Sequence, residues 1–210
     1  MNYKIIEQKV ECESKFSYDE VLNLIERAGR ICYNSTAKQE RIEKEKFISN
    51  LLKRGHESVI EHISLTFKIT TDRAIANEIV RHRIASYSQN STRYIKFTDK
   101  VPIIIPGDIK NASDEIKKIW EKGIEEATNT YKKLIENNIR PELARSVLPL
   151  STATNMYMTM NLRELRHFLK LRLHKSAHPE IREIAFGIYK KMKIYYPVFV
   201  SDIEREEKCK

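Results

Sequence analysis

The sequence predicts an α+β fold, a single domain in which helices flank a mainly antiparallel sheet. Three observations lead there. Ile63, Leu65, Phe67 and Ile69 alternate with Ser64, Thr66, Lys68 and Thr70, the period-two pattern of a strand with one buried face. Several other stretches repeat apolar residues at helical spacing behind a capping residue. Their order along the chain is mixed, without the regular strand–helix–strand alternation of a parallel sheet. With 210 residues, no repeats, no low-complexity linker and no break in composition, the chain is expected to form one domain over residues 1–210.

Taken in order, residues 3–12 read as a strand. Ser17 and Glu20 form a capping-box pattern, and Val21, Leu24, Ile25 and Ala28 follow at helical spacing. A charged helix is expected over residues 39–54, with Ile42, Phe47, Ile48, Leu51 and Leu52 as its apolar stripe and Gly55 ending it in a left-handed conformation. After the alternating strand, Asp72 is placed to cap a short helix over residues 73–81. Residues up to Tyr94 are so dense in Ser, Gln and Asn that they read as irregular. A long helix over residues 113–137 carries the only tryptophan, Trp120. Pro141 and Pro179 each suit the first position of a helix, and Asn161 with Glu164 repeats the capping-box pattern. Met156, Met158 and Met160 alternate with polar residues, as on the buried face of a strand. The last nine residues read as a frayed tail.

Composition narrows the function less than the motifs do. The chain is 41% hydrophobic and 32% charged, an ordinary balance for a soluble protein, and its net charge of +9 suits an anionic partner without naming one. No apolar run is long enough for a membrane span, and nothing resembles a targeting segment, so a cytoplasmic location with no membrane partner is expected. Three cysteines, Cys12, Cys32 and Cys209, show no paired spacing. Only five glycines are present, and none forms a dinucleotide-binding or P-loop motif, so phosphate must be held by side chains and helix ends.

The densest polar cluster runs from Arg81 to Tyr94, with three arginines, a histidine, three serines and two tyrosines. Guanidinium groups bind phosphate bidentately and hydroxyls add neutral donors. On charge alone the same stretch reads better as a basic surface loop with helix-capping serines, since basic turns are common. A basic nucleic-acid-binding protein without catalytic activity and a metal-dependent hydrolase built on the histidines are the competing readings. His174 and His178 have the four-residue spacing of a helical metal pair, but Pro179 interrupts that helix and no third ligand follows from spacing, so no metal is expected.

Arg81-His82-Arg83, then seven residues and Ser91, resembles the RHR-x7-S motif of flavin-dependent thymidylate synthases, and Arg93-Tyr94 extends the likeness. Gly55-His56-Glu57-Ser58 through Glu61-His62, Pro141 to Arg145 with Val147-Leu148-Pro149, and Asn161 to Arg172 are similar to further segments of that family. The resemblance covers roughly residues 20–195. It implies reductive methylation of dUMP to dTMP with FAD, NADPH as reductant and 5,10-methylenetetrahydrofolate as methylene donor, in a homotetramer with shared active sites and no nucleic-acid polymer as partner.

By the same resemblance, Arg81, His82, Arg83 and Ile84 would line the flavin site, with Ser58 and Glu61 adding contacts and Asn161, Arg163 and His167 coming from a neighbouring subunit. Ser91, Thr92 and Arg93 would hold the dUMP phosphate and sugar, with Glu78 and Gln89 beside the substrate. Arg145 and Arg172 would grip its phosphate or uracil, and His56 and Tyr94 would lie near the nicotinamide or folate ring. Arg172 and Ser91 are the residues expected at the reaction centre, Ser91 as a nucleotide anchor rather than a nucleophile, since its neighbours are cationic and supply no base. The sequence departs from better-known members at Glu78, His167, His178 and Ser88-Gln89, each change keeping hydrogen-bonding capacity. The resemblance implies that a flavin supplies the hydride, and the absence of any cysteine from the basic cluster agrees with a route without a cysteine nucleophile.

Overall fold

The alternating strand is the structural centre of the chain. In the computed structural model, which describes residues 1–32, 34 and 41–203, it spans Ser64–Asp72 and buries Leu65, Phe67 and Ile69. Numbered in chain order, the strands are β1 (Tyr3–Ile5), β2 (Lys9–Cys12), β3 (Ser64–Asp72), β4 (Ser86–Gln89), β5 (Val101–Ile103) and β6 (Ala153–Asn161). A four-stranded sheet has the order β2-β3-β6-β4, and β1 pairs in parallel with β5 in a second, two-stranded sheet.

Cross-strand side-chain pairs give the directions. Glu11 lies opposite Lys68 and Gln8 bonds Thr71, so numbers fall along β2 as they rise along β3. Thr66 meets Thr159 at 2.9 Å and Thr70 donates to Asn155 at 2.7 Å, the same antiparallel relation between β3 and β6. Met156, Met158 and Met160 are buried along β6, as their alternation requires. The expected mixed fold with a mainly antiparallel sheet is therefore present.

Helices α1 (Tyr18–Ile31), α2 (Arg41–Lys53), α3 (Arg73–Ile79), α4 (Gly107–Lys110), α5 (Asp114–Glu136), α6 (Pro141–Ala144), α7 (Leu162–Arg172) and α8 (Pro179–Tyr195) follow the expected caps. Both halves of the Ser17–Glu20 capping box form, Asp72 accepts the Ile75 N–H, and Pro141 and Pro179 open their helices. Gly55 sits at φ +75°, the left-handed turn that a side chain would strain.

Two expectations need correction. Residues 3–12 are not one strand: the chain breaks at residues 6–8, and β1 and β2 enter different sheets. The polar stretch before Tyr94 is not wholly irregular, because Ser86–Gln89 forms β4 at the end of the strand order. An edge strand has one wet side and needs few apolar residues, so its composition concealed it. The expected second helix is described from Arg41, leaving Gln39 and the side chain of Ile42 outside the described residues, as is the tail from residue 204.

The chain divides into two compact units, residues 1–9, 69–81 and 88–156 in the first, residues 10–68, 82–87 and 157–210 in the second. In the first, α5 covers the β1–β5 pair, and Tyr3, Val101, Ile103, Ile124, Tyr131 and Ile135 form its core, with Trp120 half-buried against them. In the second, α1 packs on α2 so closely that Gly29 leaves no room for a side chain beside Phe47 and Leu51. Arg166 of α7 is fully buried there, paired with Asp202 at 2.7 Å and Glu57 at 3.1 Å. A cation taken from water this completely is retained by such partners, and losing one of them costs far more than an exposed pair does.

Candidate active site

The second unit holds a cavity of about 590 Å³ lined by Glu61, Ile84, Asn161, Arg163, Glu164 and His167, together with Glu57. Local structure explains the grouping. Asn161 Oδ1 accepts the Glu164 N–H at 2.9 Å and starts α7, which then carries Arg163 and His167 on one face, four residues apart. The expected reciprocal half of this capping box gives way to another contact, because the Glu164 carboxylate lies against His82. A 3-10 turn, Glu57–His62, supplies Glu57 and Glu61. Each carboxylate of the wall faces a cation or a ring: Arg163 donates to Glu61 at 2.6 Å, Arg166 to Glu57, and His82 faces Glu164 at 3.4 Å.

His82 is the organising residue. Arg172 Nε–H donates to His82 Nε2 at 3.0 Å, which requires a lone pair on Nε2 and leaves the ring proton on Nδ1, directed at Glu164. Burial, reinforced by the Arg172 charge, holds the imidazole pKa below its ordinary 6.5 despite the opposing pull of Glu164. The neutral ring packs edge-on against Phe168 at 4.8 Å. Tyr87 donates its hydroxyl to the His82 carbonyl at 2.8 Å, and burial, with Glu164 nearby, pushes its pKa up to about 12, so it stays a donor. Glu164, His82 and Arg172 thus form one chain of hydrogen bonds that fixes the guanidinium of Arg172. His82, Glu164 and His167 also bring three potential metal donors within 4.8 Å. Both His82 nitrogens are already engaged, Nε2 by a cation, so this geometry serves Arg172 rather than an ion.

Of the other residues expected at the flavin, Ile84 lines the cavity on the same chain as Asn161, Arg163 and His167, the three expected from a neighbouring subunit, while Arg81 and Arg83 are exposed on either side of the buried His82. Ser58 and His56 line a separate cavity of about 360 Å³ in the same unit, and Glu57 and Arg163 belong to both walls.

The residues expected at the nucleotide gather on the first unit. Ser91 accepts the Tyr94 and Ile95 N–H groups through its carbonyl and the Arg93 N–H through its hydroxyl at 3.3 Å, making a tight turn. Among the described residues no carboxylate or imidazole bonds the Ser91 hydroxyl. Thr92 is buried and accepts from Arg145 at 3.3 Å. Arg93 donates to Glu142 at 3.2 Å, and its guanidinium lies 5.4 Å from the exposed Tyr94 ring. The Gln89 amide is taken by Thr154 at 3.2 Å, and the Glu78 carbonyl accepts the Arg81 N–H. Arg172 belongs to the second unit.

Sequence reasoning assigned no role to Glu57, Glu164, Tyr87 or Glu142. Glu142 had a readable signal, standing three residues before Arg145 at a helix start. Glu164 had one too, as the partner of a capping residue, but its turn toward His82 is a tertiary contact. His174 and His178 do not share a helix: His174 bonds Ser176 at 2.7 Å and His178 accepts the Glu180 N–H as the cap of α8. Burial raises the Cys12 pKa and disfavours its thiolate, Cys32 is exposed, and Cys209 lies outside the described residues. No helix among the described residues is long and apolar enough to cross a membrane.

The model of the family described as thymidylate synthase complementing protein matches residues 16–198. A flavin-dependent thymidylate synthase of Geobacter sulfurreducens is 37% identical over 183 residues, covering 83% of this chain and 78% of that protein. One from Pyrococcus furiosus is 41% identical over 165 residues, covering 75% and 67%. Among solved structures, the UMP/dUMP methylase PolB of Streptomyces cacaoi, bound with 5-Br dUMP, aligns with a TM-score of 0.81 over 97% of this chain and 99% of that one. At 24% identity that likeness speaks for the fold alone.

Proposed function

The chain belongs to the thymidylate synthase complementing protein family, whose named relatives are flavin-dependent thymidylate synthases, and from that premise we propose that it methylates dUMP to dTMP with FAD, NADPH and 5,10-methylenetetrahydrofolate. The observation that carries this reading is the Glu164–His82–Arg172 chain beside a cavity of about 590 Å³, a volume in the usual range for cofactor and ligand pockets. The wall fits a flavin: Asn161, Arg163 and His167 offer polar groups, Ile84 offers an apolar face, and the three carboxylates are each partnered. Asn161, Arg163, His167, His82 and Ile84 would hold the flavin, with Glu61 anchoring Arg163; Arg81, Arg83 and Ser58 stand close by in sequence and complete the proposed set.

When bound, FAD supplies hydride transfer from NADPH to the carbon that becomes the methyl group. The chain's own part is binding and charge. Ser91, Thr92, Arg93 and Arg145 hold phosphate and sugar, Glu78 and Gln89 flank the substrate, and His56 and Tyr94 flank the nicotinamide or folate. Neutral His82 orients Arg172, so that its guanidinium can face a uracil carbonyl as negative charge builds there. Ser91 acts as an anchor, since its hydroxyl already accepts the Arg93 N–H.

The purified protein should be yellow and should bleach on anaerobic addition of NADPH. It should release tetrahydrofolate with dTMP, and should keep most of its activity when Cys12, Cys32 and Cys209 are replaced together by serine. Dihydrofolate as product, or loss of activity on replacing one cysteine in a folded protein, overturns the flavin route.

A further inference from the structure

A third, smaller cavity lies within the first unit, and its chemistry is one-sided. Its volume is about 280 Å³, at the lower edge of whole-ligand pockets, so it suits one group of a ligand or a small ion. Lys4, Arg73, Asn90, Thr92 and Asn155 supply its polar groups, Ile95 and Phe97 part of its apolar wall, and among the described residues no carboxylate lines it. Of its polar residues only Thr92 belongs to the set expected at the nucleotide.

Arg73 is the unusual member. Its Nη1 is buried and has no hydrogen-bond partner among the described residues. The backbone is fixed at this point, because the main-chain N–H of Arg73 donates to the carbonyls of Leu150 and Thr152 at 3.0 and 3.2 Å. The charge nearest in effect is another cation. Burial, then the repulsion of Arg145, lowers the Arg73 pKa, and no carboxylate opposes either. Arg145 is itself tied to this wall, since it donates to Thr92 at 3.3 Å. Asn155 accepts from Thr70 through Oδ1, which leaves its amide hydrogens to donate into the cavity. A buried donor without a partner costs stability, and the nearby charge of Arg145 adds to the cost at Arg73. An anion bound at Arg73 removes both penalties.

We propose that this cavity is an oxyanion subsite that takes a phosphate group, with Arg73 as its principal donor and Lys4, Thr92, Asn155 and Arg145 in support. The phosphate comes either from the nucleotide substrate, which rests on the function proposed above, or from a free phosphate ion, which does not.

The test compares the FAD-loaded full-length protein with its Arg73→Met and Lys4→Ala variants. Titration calorimetry reads binding of dUMP, deoxyuridine and inorganic phosphate, and thermal melts are recorded with and without phosphate. Arg73→Met keeps the bulk and removes the charge. It should melt no lower than wild type without phosphate, since a structural arginine would lower the melting temperature and an unsatisfied one does not. Its melting temperature should also stop rising with phosphate. Phosphate-bearing ligands should bind about ten-fold to a hundred-fold more weakly, the loss of a hydrogen bond to a charged group, with deoxyuridine unchanged. Lys4→Ala should show a smaller loss in the same ligands and stands in if Arg73→Met does not fold.

Weakening of both dUMP and inorganic phosphate identifies the nucleotide as the source. Weakening of inorganic phosphate alone identifies a free-ion subsite. If wild type binds phosphate through Arg73 but does not bind dUMP, the subsite stands and the nucleotide reading falls. If a folded Arg73→Met binds every ligand as wild type does, or if Lys4→Ala does so where Arg73→Met fails to fold, the proposal is overturned while the dUMP reading is untouched.

Discussion

His82 turns a short sequence motif into a charge arrangement. A histidine between two arginines suggests a cationic triplet, yet burial and Arg172 keep the middle member neutral, so it can accept from one side and donate to the other. The pH consequence follows from the direction of the shift. The folded pKa lies below the ordinary 6.5, so the contribution of neutral His82 is complete above that value and is lost as pH falls through the folded pKa, where the unfolded chain takes up the proton first. One proton can contribute at most about 1.4 kcal/mol per pH unit to the slope. Between pH 6.5 and 5, wild type should therefore lose melting temperature faster than His82→Gln, with dTMP formation falling alongside as a protonated ring repels Arg172. Parallel slopes in the two proteins would remove His82 from this role. At the nucleotide turn, Arg93→Ala should weaken dUMP binding by roughly 1.5–3 kcal/mol with FAD still bound, as for a lost charge-assisted bond. Ser91→Ala should be milder, and a total loss of turnover in that variant with dUMP still bound would make Ser91 a reacting group after all. The arginines, serines and His82 were legible because RHR-x7-S is a long and unusual pattern. Glu57 and Arg73 were not, because nothing local distinguishes them, and Glu164 was legible only as a capping partner: their roles arise from a buried arginine, a missing partner and a turned side chain, each a tertiary fact.

At the scale of elements, caps and periodicity read well. Ser17, Asp72, Ser113 and Asn161 each accept a backbone N–H at the start of the helix expected there, and the buried faces of β3 and β6 are those the alternation marks. Failures came where composition misleads. β4 is polar because it is an edge, and β1 and β2 looked like one strand because a break of three residues leaves no Gly or Pro. Helix α7 joins cap to site, which makes its variants informative. Asn161→Ala should cost about 1 kcal/mol through the lost cap and should also loosen FAD, since the start of α7 carries Arg163. Arg163→Ala removes an exposed pair with Glu61 and should leave the melting temperature of the flavin-free protein nearly unchanged while lowering FAD affinity. Equal FAD affinity in wild type and Arg163→Ala, measured by fluorescence quenching, would take Arg163 out of the flavin site.

At the scale of the whole molecule, the groups expected to act together fall in both units. The flavin set, apart from Arg81, belongs to the second unit, and the nucleotide set, apart from His56 and Arg172, to the first. Catalysis needs both sets at one place, with reacting groups held to well under an ångström or two. We propose, as the family resemblance implies, that assembly into a homotetramer whose active sites draw on more than one copy meets that requirement, and hybrid sites make the idea testable. Arg81→Ala and Arg172→Ala should each be inactive or nearly so as pure proteins that still fold and assemble. If one copy supplies Arg81 and another supplies Arg172 to the same site, co-assembly of the two variants creates a fraction of sites with both arginines intact. Mixed by co-expression, they should regain a measurable share of dTMP formation, and dilution below the assembly threshold should abolish it. Were each site built from a single copy, every site in the mixture would still carry one defect and no activity would return. A fully active monomer in light scattering would exclude shared sites outright, whereas a tetramer without complementation would retain the assembly and move both arginines onto one chain.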